Sequence, residues 1–234
     1  MKARKILAMV AALALTAALA VGGTLAYLTS TKTVTNTFTV GSVQIKLDEA
    51  QVNQDGTVKK DADGKVLRTD IGNLFNDETG EGGYKLMPGH FYTKDPKVTV
   101  AAGSEDSYLF VKVQNGISEI EAAGDTTIAN QMAAKGWVKV EDTDNVYCYY
   151  GIDAESNTVN SGKAIVVAGQ EIQVFDSFTI SGDVIGGAKP ADAAEDDNNL
   201  YLADYATAQI VVTAYAIQAD GFEGSTPAQI WAEF

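Results

Sequence analysis

The stretch TKTVTNTFTVGSVQIKL, residues 31–47, decides the fold class. Val34, Phe38 and Val40 share one parity, and Thr33, Thr35, Thr37 and Thr39 fill the other. Alternation of this kind is what a half-buried β-strand requires, because successive side chains of a strand point to opposite faces. Beyond Gly41-Ser42 the parity flips: Val43, Ile45 and Leu47 are apolar, while Gln44 and Lys46 are polar. A one-residue slip exchanges the faces of a strand, so a bulge or bend is expected at Gly41-Ser42.

Working outward, residues 48–70 are polar and hold two tight-turn dipeptides, Asp55-Gly56 and Asp63-Gly64, which predict one or two exposed hairpins. Tyr84 to Gly89 reads as a turn around Pro88. Strands are expected at 98–100, 108–113, 137–140, 146–150, 164–167, 172–180 and 209–218. Residues 117–135 are the main helical candidate, with Ile117, Ile120, Ile128 and Met132 on a partial face interrupted by Gly124. Residues 186–199 read as a loop with a solvated acidic run, and a last helical turn is expected from Pro227. Many short strands separated by turn signals, with a single helical patch, predict an all-β, jelly-roll-like β-sandwich. It would carry one or two short inserted helices and hairpin insertions.

The N-terminus has a different character. Lys2, Arg4 and Lys5 precede an uncharged stretch from Ile6 to Val21, followed by Gly22-Gly23 and Thr24-Leu25-Ala26. This is the three-part pattern of a secretory signal peptide. Cleavage is expected after Ala26, with Tyr27 as the next choice of site. The apolar run is about 16 residues, short of the ~20 that span a bilayer. The expected organisation is therefore a signal peptide at 1–26, an N-terminal strand-like segment at 27–40, and a sandwich domain at 41–234. No sorting motif or anchoring tail is read at the C-terminus, so the mature protein is expected to be secreted and free of the membrane.

The 234 residues carry a formal charge of −14, and losing Lys2, Arg4 and Lys5 takes the mature chain to −17. So acidic a chain is not expected to bind nucleic acid, whose phosphates need lysine and arginine. The hydrophobic fraction of 46% is too high for a disordered chain. Cys148 is the only cysteine, which rules out an intrachain disulfide, and its setting between Tyr147 and Tyr149 reads as a buried strand position.

Chemistry is sparse. His90 is the only histidine and sits beside a Pro-Gly turn, where an exposed turn residue is expected. A zinc site of two or three histidines and the His-Glu-x-x-His helix motif are impossible with one. Asp61 and Asp63 resemble the start of a calcium loop, but Gly72 and Asn73 stand where its bidentate acid belongs, so a plain turn is expected. No Gly-x-Ser-x-Gly elbow and no phosphate loop occur. Nothing selects a carboxylate pair for glycoside cleavage. Tyr147, Tyr149 and Tyr150 could stack on sugars, although strand positions in a β core place aromatics in the same way. No catalytic residue, metal or cofactor is expected.

Residues 22–29, Gly-Gly-Thr-Leu-Ala-Tyr-Leu-Thr, with Thr37-Phe38-Thr39-Val40-Gly41, resemble the TasA/camelysin family. So do Leu86-Met87-Pro88-Gly89, Lys94-Asp95, Val98-Thr99-Val100 with Gly103, and Ala214 to Ala219. His90 departs from the family's commoner acidic residue after the Pro-Gly. The resemblance implies a secreted Gram-positive protein processed by a dedicated ER-type signal peptidase, with a jelly-roll fold. It also implies assembly into biofilm matrix fibres by donor-strand exchange, the protein itself being the partner. The matching donor positions are Leu28, Val34, Phe38 and Val40. A β-prone segment at a free terminus suits this role, since an added strand gains main-chain hydrogen bonds from a sheet edge. Some members have been called metalloproteases, a reading to which His90 alone gives little. The rival expectation is a monomeric secreted or surface adhesin or binding module, with the N-terminal strand folded into its own sheet.

Overall fold

The computed structural model describes residues 41–73, 83–194 and 197–234. Ala26, Tyr27, Leu28, Val34, Phe38 and Val40 lie outside them. Ten strands run through the described residues: β1 (Ile45–Ala50), β2 (Arg68–Thr69), β3 (Phe91–Thr93), β4 (Lys97–Val100), β5 (Ser107–Asn115), β6 (Trp137–Lys139), β7 (Val146–Tyr149), β8 (Glu171–Gln173), β9 (Ser177–Thr179) and β10 (Ile210–Gln218). Two short helices accompany them, α1 (Ile128–Ala134) and α2 (Pro227–Trp231). The strands form two four-stranded antiparallel sheets, β2-β1-β4-β8 and β10-β5-β7-β6, and a β3-β9 ribbon. This is the expected mostly-β architecture, consistent with a β-sandwich.

The alternating residues of β4 and β5 account for the core. Val98 and Val100 from one sheet meet Leu109, Val111 and Val113 from the other, joined by Ile172, Phe178 and the helix residues Ile128 and Met132. The opposite parity of β5 and β7, Tyr108, Phe110, Val146 and Cys148, packs on the outer side against Ile230 of α2. Helix α2 begins with a capping box, Thr226 and Gln229 satisfying each other's backbone N–H groups, and with Pro227 at its start. Among the described residues no helix is long and apolar enough to cross a membrane.

Several expectations shift in detail. The 172–180 run is two strands, because the chain turns at Val174–Asp176 to pass from β4's neighbour to β3's. The 164–167 run makes one bridge, Val166 to Ser107, and leaves Ile165 and Val167 exposed, so no strand forms there. Strand β1 begins at Ile45 rather than Val43. The 117–135 patch yields a single helix, α1, preceded by turns. The two Asp-Gly turns are present, with Gly56 and Gly64 both at φ +81°. Asp61 accepts the backbone N–H groups of Asp63 and Lys65, which closes its turn internally.

Candidate functional site: an open seam between two sheet edges

Strand β10 lies at the end of its sheet and pairs along its whole length with β5. Just beyond its ends, Gly116 N–H donates to the Gln209 carbonyl and Ala219 N–H donates to the Asp106 carbonyl. The odd-numbered residues therefore bond β5. In an antiparallel ladder the alternate residues turn their N–H and C=O groups the other way. Ile210, Val212, Ala214, Ala216 and Gln218 thus present theirs at the outer edge, where no described strand bonds them. Ile210, Val212, Ala214 and Ala216 also send their side chains to the core, where they are only partly buried.

Strand β1 has a matching free edge. Ala101 N–H donates to the Gln44 carbonyl, so even-numbered residues face β4 and odd-numbered ones face away. Strand β2 covers that far side only from Glu49 onward, which pairs with Thr69. The outward backbone groups of Ile45 and Leu47 have no hydrogen-bond partner among the described strands. Strands β1 and β10 lie against each other, held at one end where Glu105 N–H donates to Ser42 and Ala219 N–H to Asp106. Toward the other end the edges open into a cavity of about 660 Å3.

Its apolar wall is Leu47, Leu86, Phe178, Leu202, Ile210 and Val212, and its polar wall includes Asp48, Glu49, Asp70, Asn73, Tyr84 and Lys94. The polar wall is largely self-satisfied. Lys94 Nζ lies 2.5 Å from Glu49 Oε2, and both side chains are under a tenth exposed. Asn73 donates its backbone N–H and its amide to Glu49 Oε1. Arg68 bridges Asp48 at 2.5 Å and Asp95 at 2.9 Å, and Asp95 also accepts the Ala50 N–H. Burial alone would raise Asp48, but hydrogen bonds from Lys46 and Arg68 outweigh it and hold its carboxyl below the ordinary range. Burial and the nearby carboxylates of Glu49 and Asp95 push the Tyr84 hydroxyl up, and it donates to the Thr93 carbonyl. This network can clamp the ends of β1 and β2 together. Within it the carboxylates of Asp48, Glu49 and Asp95 are each held by a cation. Asp70 alone among the wall's charged groups has no hydrogen bond or ion pair to a described residue.

The opposite seam, between β6 and β8, is closed. Trp137 Nε1–H donates to the Gln173 carbonyl at 2.9 Å. Gln131 on α1 donates to the Ser177 carbonyl and accepts from the N–H groups of Asp176 and Ser177. Lys135 pairs with Asp176 at 2.7 Å. Helix α1 and the Trp137 indole thus seal one side of the sandwich and leave β1 and β10 as the unsealed side.

The other residues singled out in the sequence are built into the fold. His90, expected exposed, is half-buried: its ring meets Tyr92 edge-on at 4.7 Å, and its Nε2–H donates to the Asp55 carbonyl. Among the described residues no three His, Cys, Asp or Glu side chains converge as metal ligands. Tyr147 and Tyr149 pack on the inner core and Tyr150 on the outer one. Cys148 is buried, which pushes its thiol up to about 12.

No curated protein and no solved structure matches the chain. Over residues 2–66, just over a quarter of its length, it matches the model of the camelysin metallo-endopeptidase family.

Proposed function

We propose that the protein is a secreted subunit of an extracellular matrix fibre, in which residues 28–40 of one copy add as a strand to the β1–β10 seam of the next. The observation that carries the reading is the pairing of two free edges over one cavity, with their inward side chains only half-covered, on a sandwich whose other seam is sealed. A strand placed there gains backbone hydrogen bonds from the even residues of β10 and from Ile45 and Leu47. It also buries the exposed portions of Ile210 and Val212. The segment immediately before Gly41 alternates and is β-prone, as such a strand must be. A head-to-tail contact of this type does not close on itself and extends into a filament. Export by signal peptidase, with cleavage after Ala26, would free the segment.

The name of the matching family raises peptidase chemistry. The described donors do not fit a zinc site: His90, the chain's only histidine, commits Nε2–H to a carbonyl, and Glu49, Asp48 and Asp95 are each engaged by Lys94 or Arg68. The structural reading rests on the seam and needs no catalytic group.

Electron microscopy of the mature protein beginning at Tyr27, beside a chain beginning at Gly41, tests it. Filaments from the first and single particles from the second are expected. Single particles from both, at high concentration and mildly acidic pH, would refute the fibre and favour a monomeric binding module.

A further inference from the structure

Lys94, Glu49 and Asn73 meet at the polar wall in an order that an ion pair alone does not require. Lys94 Nζ lies 2.5 Å from Glu49 Oε2, and Asn73 Nδ2–H donates to Glu49 Oε1 at 2.9 Å. One carboxylate thus holds an amine on one oxygen and a carboxamide on the other, which sets the two side by side. The carboxamide is fixed at its other contacts as well: Nδ2–H donates to the Ala50 carbonyl at 2.8 Å, and Oδ1 accepts the Val52 N–H at 2.9 Å. Two acceptors on one atom and a donor on the other decide which is nitrogen and which is oxygen. Glu49 and Lys94 are both buried. Tyr84 and Phe178, which line the same cavity, pack edge-on at 5.1 Å and give it an apolar side.

These are the parts of an acyl transfer: a nucleophilic amine, a proton carrier touching both reactants, and a carbonyl whose oxygen already faces an N–H donor. Moving the proton from Nζ to Oε2 removes both charges of a buried contact at once, so nothing is left that needs hydration. Glu49, as an ionised carboxylate, resists attack by the amine. The Asn73 carboxamide is neutral, and the Val52 N–H polarises it. Burial and fixed contacts supply the proximity that such a reaction lacks between free side chains in water.

Independently of the assembly above, we infer that Lys94 and Asn73 become joined by an intramolecular isopeptide bond, with Glu49 as its catalytic residue. Glu49 Oε2 takes a proton from the Lys94 ammonium and leaves a neutral amine. The nitrogen electron pair attacks Asn73 Cγ, the Nζ–Cγ bond forms, and the carbonyl electrons move onto Oδ1 toward the Val52 N–H. Glu49 returns its proton to Nδ2 and takes one of the two remaining on Nζ. The carbonyl re-forms, the Cγ–Nδ2 bond breaks and ammonia leaves, with Glu49 ending as the neutral acid beside the new amide. No oxidant or co-reactant is consumed. The structure shows the arrangement before linkage, and the energetics of the Lys94–Glu49 ion pair belong to that state. The bond ties the chain just after β2 to the chain just after β3.

The test is intact-mass spectrometry of the folded mature chain, followed by trypsin digestion and tandem mass spectrometry. A loss of about 17 Da, one ammonia, is expected. With it should come a branched peptide in which Asn73 is joined to Lys94 and trypsin no longer cuts after Lys94. Lys94→Arg keeps a cation against Glu49 but cannot form the bond. Glu49→Gln keeps hydrogen-bonding atoms but cannot carry the proton. Both variants should fold by circular dichroism and keep their full mass. A parent at full mass after prolonged incubation overturns the bond. So does an ammonia loss confined to a linear peptide, the product of Asn73 cyclising on its own backbone. A branched peptide that persists in Glu49→Gln overturns the mechanism. A chain held in urea tests the same site without any substitution: it should stay at full mass and lose ammonia only after dilution into buffer, and equal loss in urea would overturn catalysis by the fold.

Discussion

Replacing Lys94 by methionine leaves Glu49 buried without its cation. Glu49 is 5% exposed and Lys94 8%. Removing one partner of a buried ion pair costs about 3–5 kcal/mol, mostly as the penalty of an uncompensated charge. For a domain of this size each kcal/mol moves the midpoint by about 2–4 °C, so the melting temperature should fall by roughly 6–20 °C. Asn73 still donates twice to Glu49 Oε1, which places the loss toward the lower end. The double variant Lys94→Met with Glu49→Gln removes both charges and keeps an acceptor for Asn73. It should recover to within about 2 kcal/mol of the parent, since replacing both members of such a pair is often close to neutral. The assay is urea unfolding by far-ultraviolet circular dichroism, comparing midpoints at constant slope. A loss below about 1 kcal/mol in Lys94→Met, or a double variant no more stable than the single, would show that the pair is not desolvated as the geometry implies.

Three further outcomes are expected. Cys148, its thiol pushed up to about 12 by burial, should resist a thiol reagent at pH 8 in the folded protein and react at once in guanidinium; rapid labelling of the native state would contradict its position in the outer core. Gly136→Ala should cost about 3 kcal/mol or more, because the new Cβ would stand 2.5–2.6 Å from the Gly151 backbone at φ +87°. Gly64→Ala, at φ +81° with nothing within 4 Å, should cost only about 1–2 kcal/mol, and equal unfolding midpoints for the two would refute the close approach. Asp48 binds its proton more weakly in the folded than in the unfolded chain, so its contribution is present above about pH 4 and fades as pH falls below that. Arg68→Met should therefore be clearly less stable than the parent at pH 6, with a smaller gap at pH 2.5. A gap that is constant across this range would argue against the assignment.

The strands that pair over long, regular stretches were legible in the sequence. Residues 108–113 and 209–218 stand out as long, nearly continuous apolar runs because each has one face on the inner core and one on the outer cover, and they form β5 and β10. The Asp-Gly turns were legible for a local reason, since only a glycine takes their φ without strain. Phe91–Thr93 escaped notice because three residues carry too little periodicity, and what makes them a strand is distant pairing with Ser177–Thr179. The polar wall was equally hidden. Its members come from 48–49, 68–73, 84 and 94–95, and nothing local says that they meet. A signal did exist in Asp48-Glu49, two acids inside an otherwise strand-like run, a costly placement unless cations await them. The open seam could not be read at all, because an edge is defined by which strand fails to arrive.

The seal that Trp137 and Gln131 place over the β6–β8 side has a consequence for stoichiometry. Within the proposed scheme each molecule has one slot and one tail, hence an assembly valence of two, so its polymers can neither branch nor widen by this contact. Every filament then ends in one vacant slot and one unused tail. A copy that keeps the slot but lacks residues 27–40 can accept a neighbour yet offers nothing onward. It behaves as a chain terminator, and its effect on mean filament length should scale with its mole fraction, so that a few per cent of tail-less protein shortens filaments far more than dilution by the same amount.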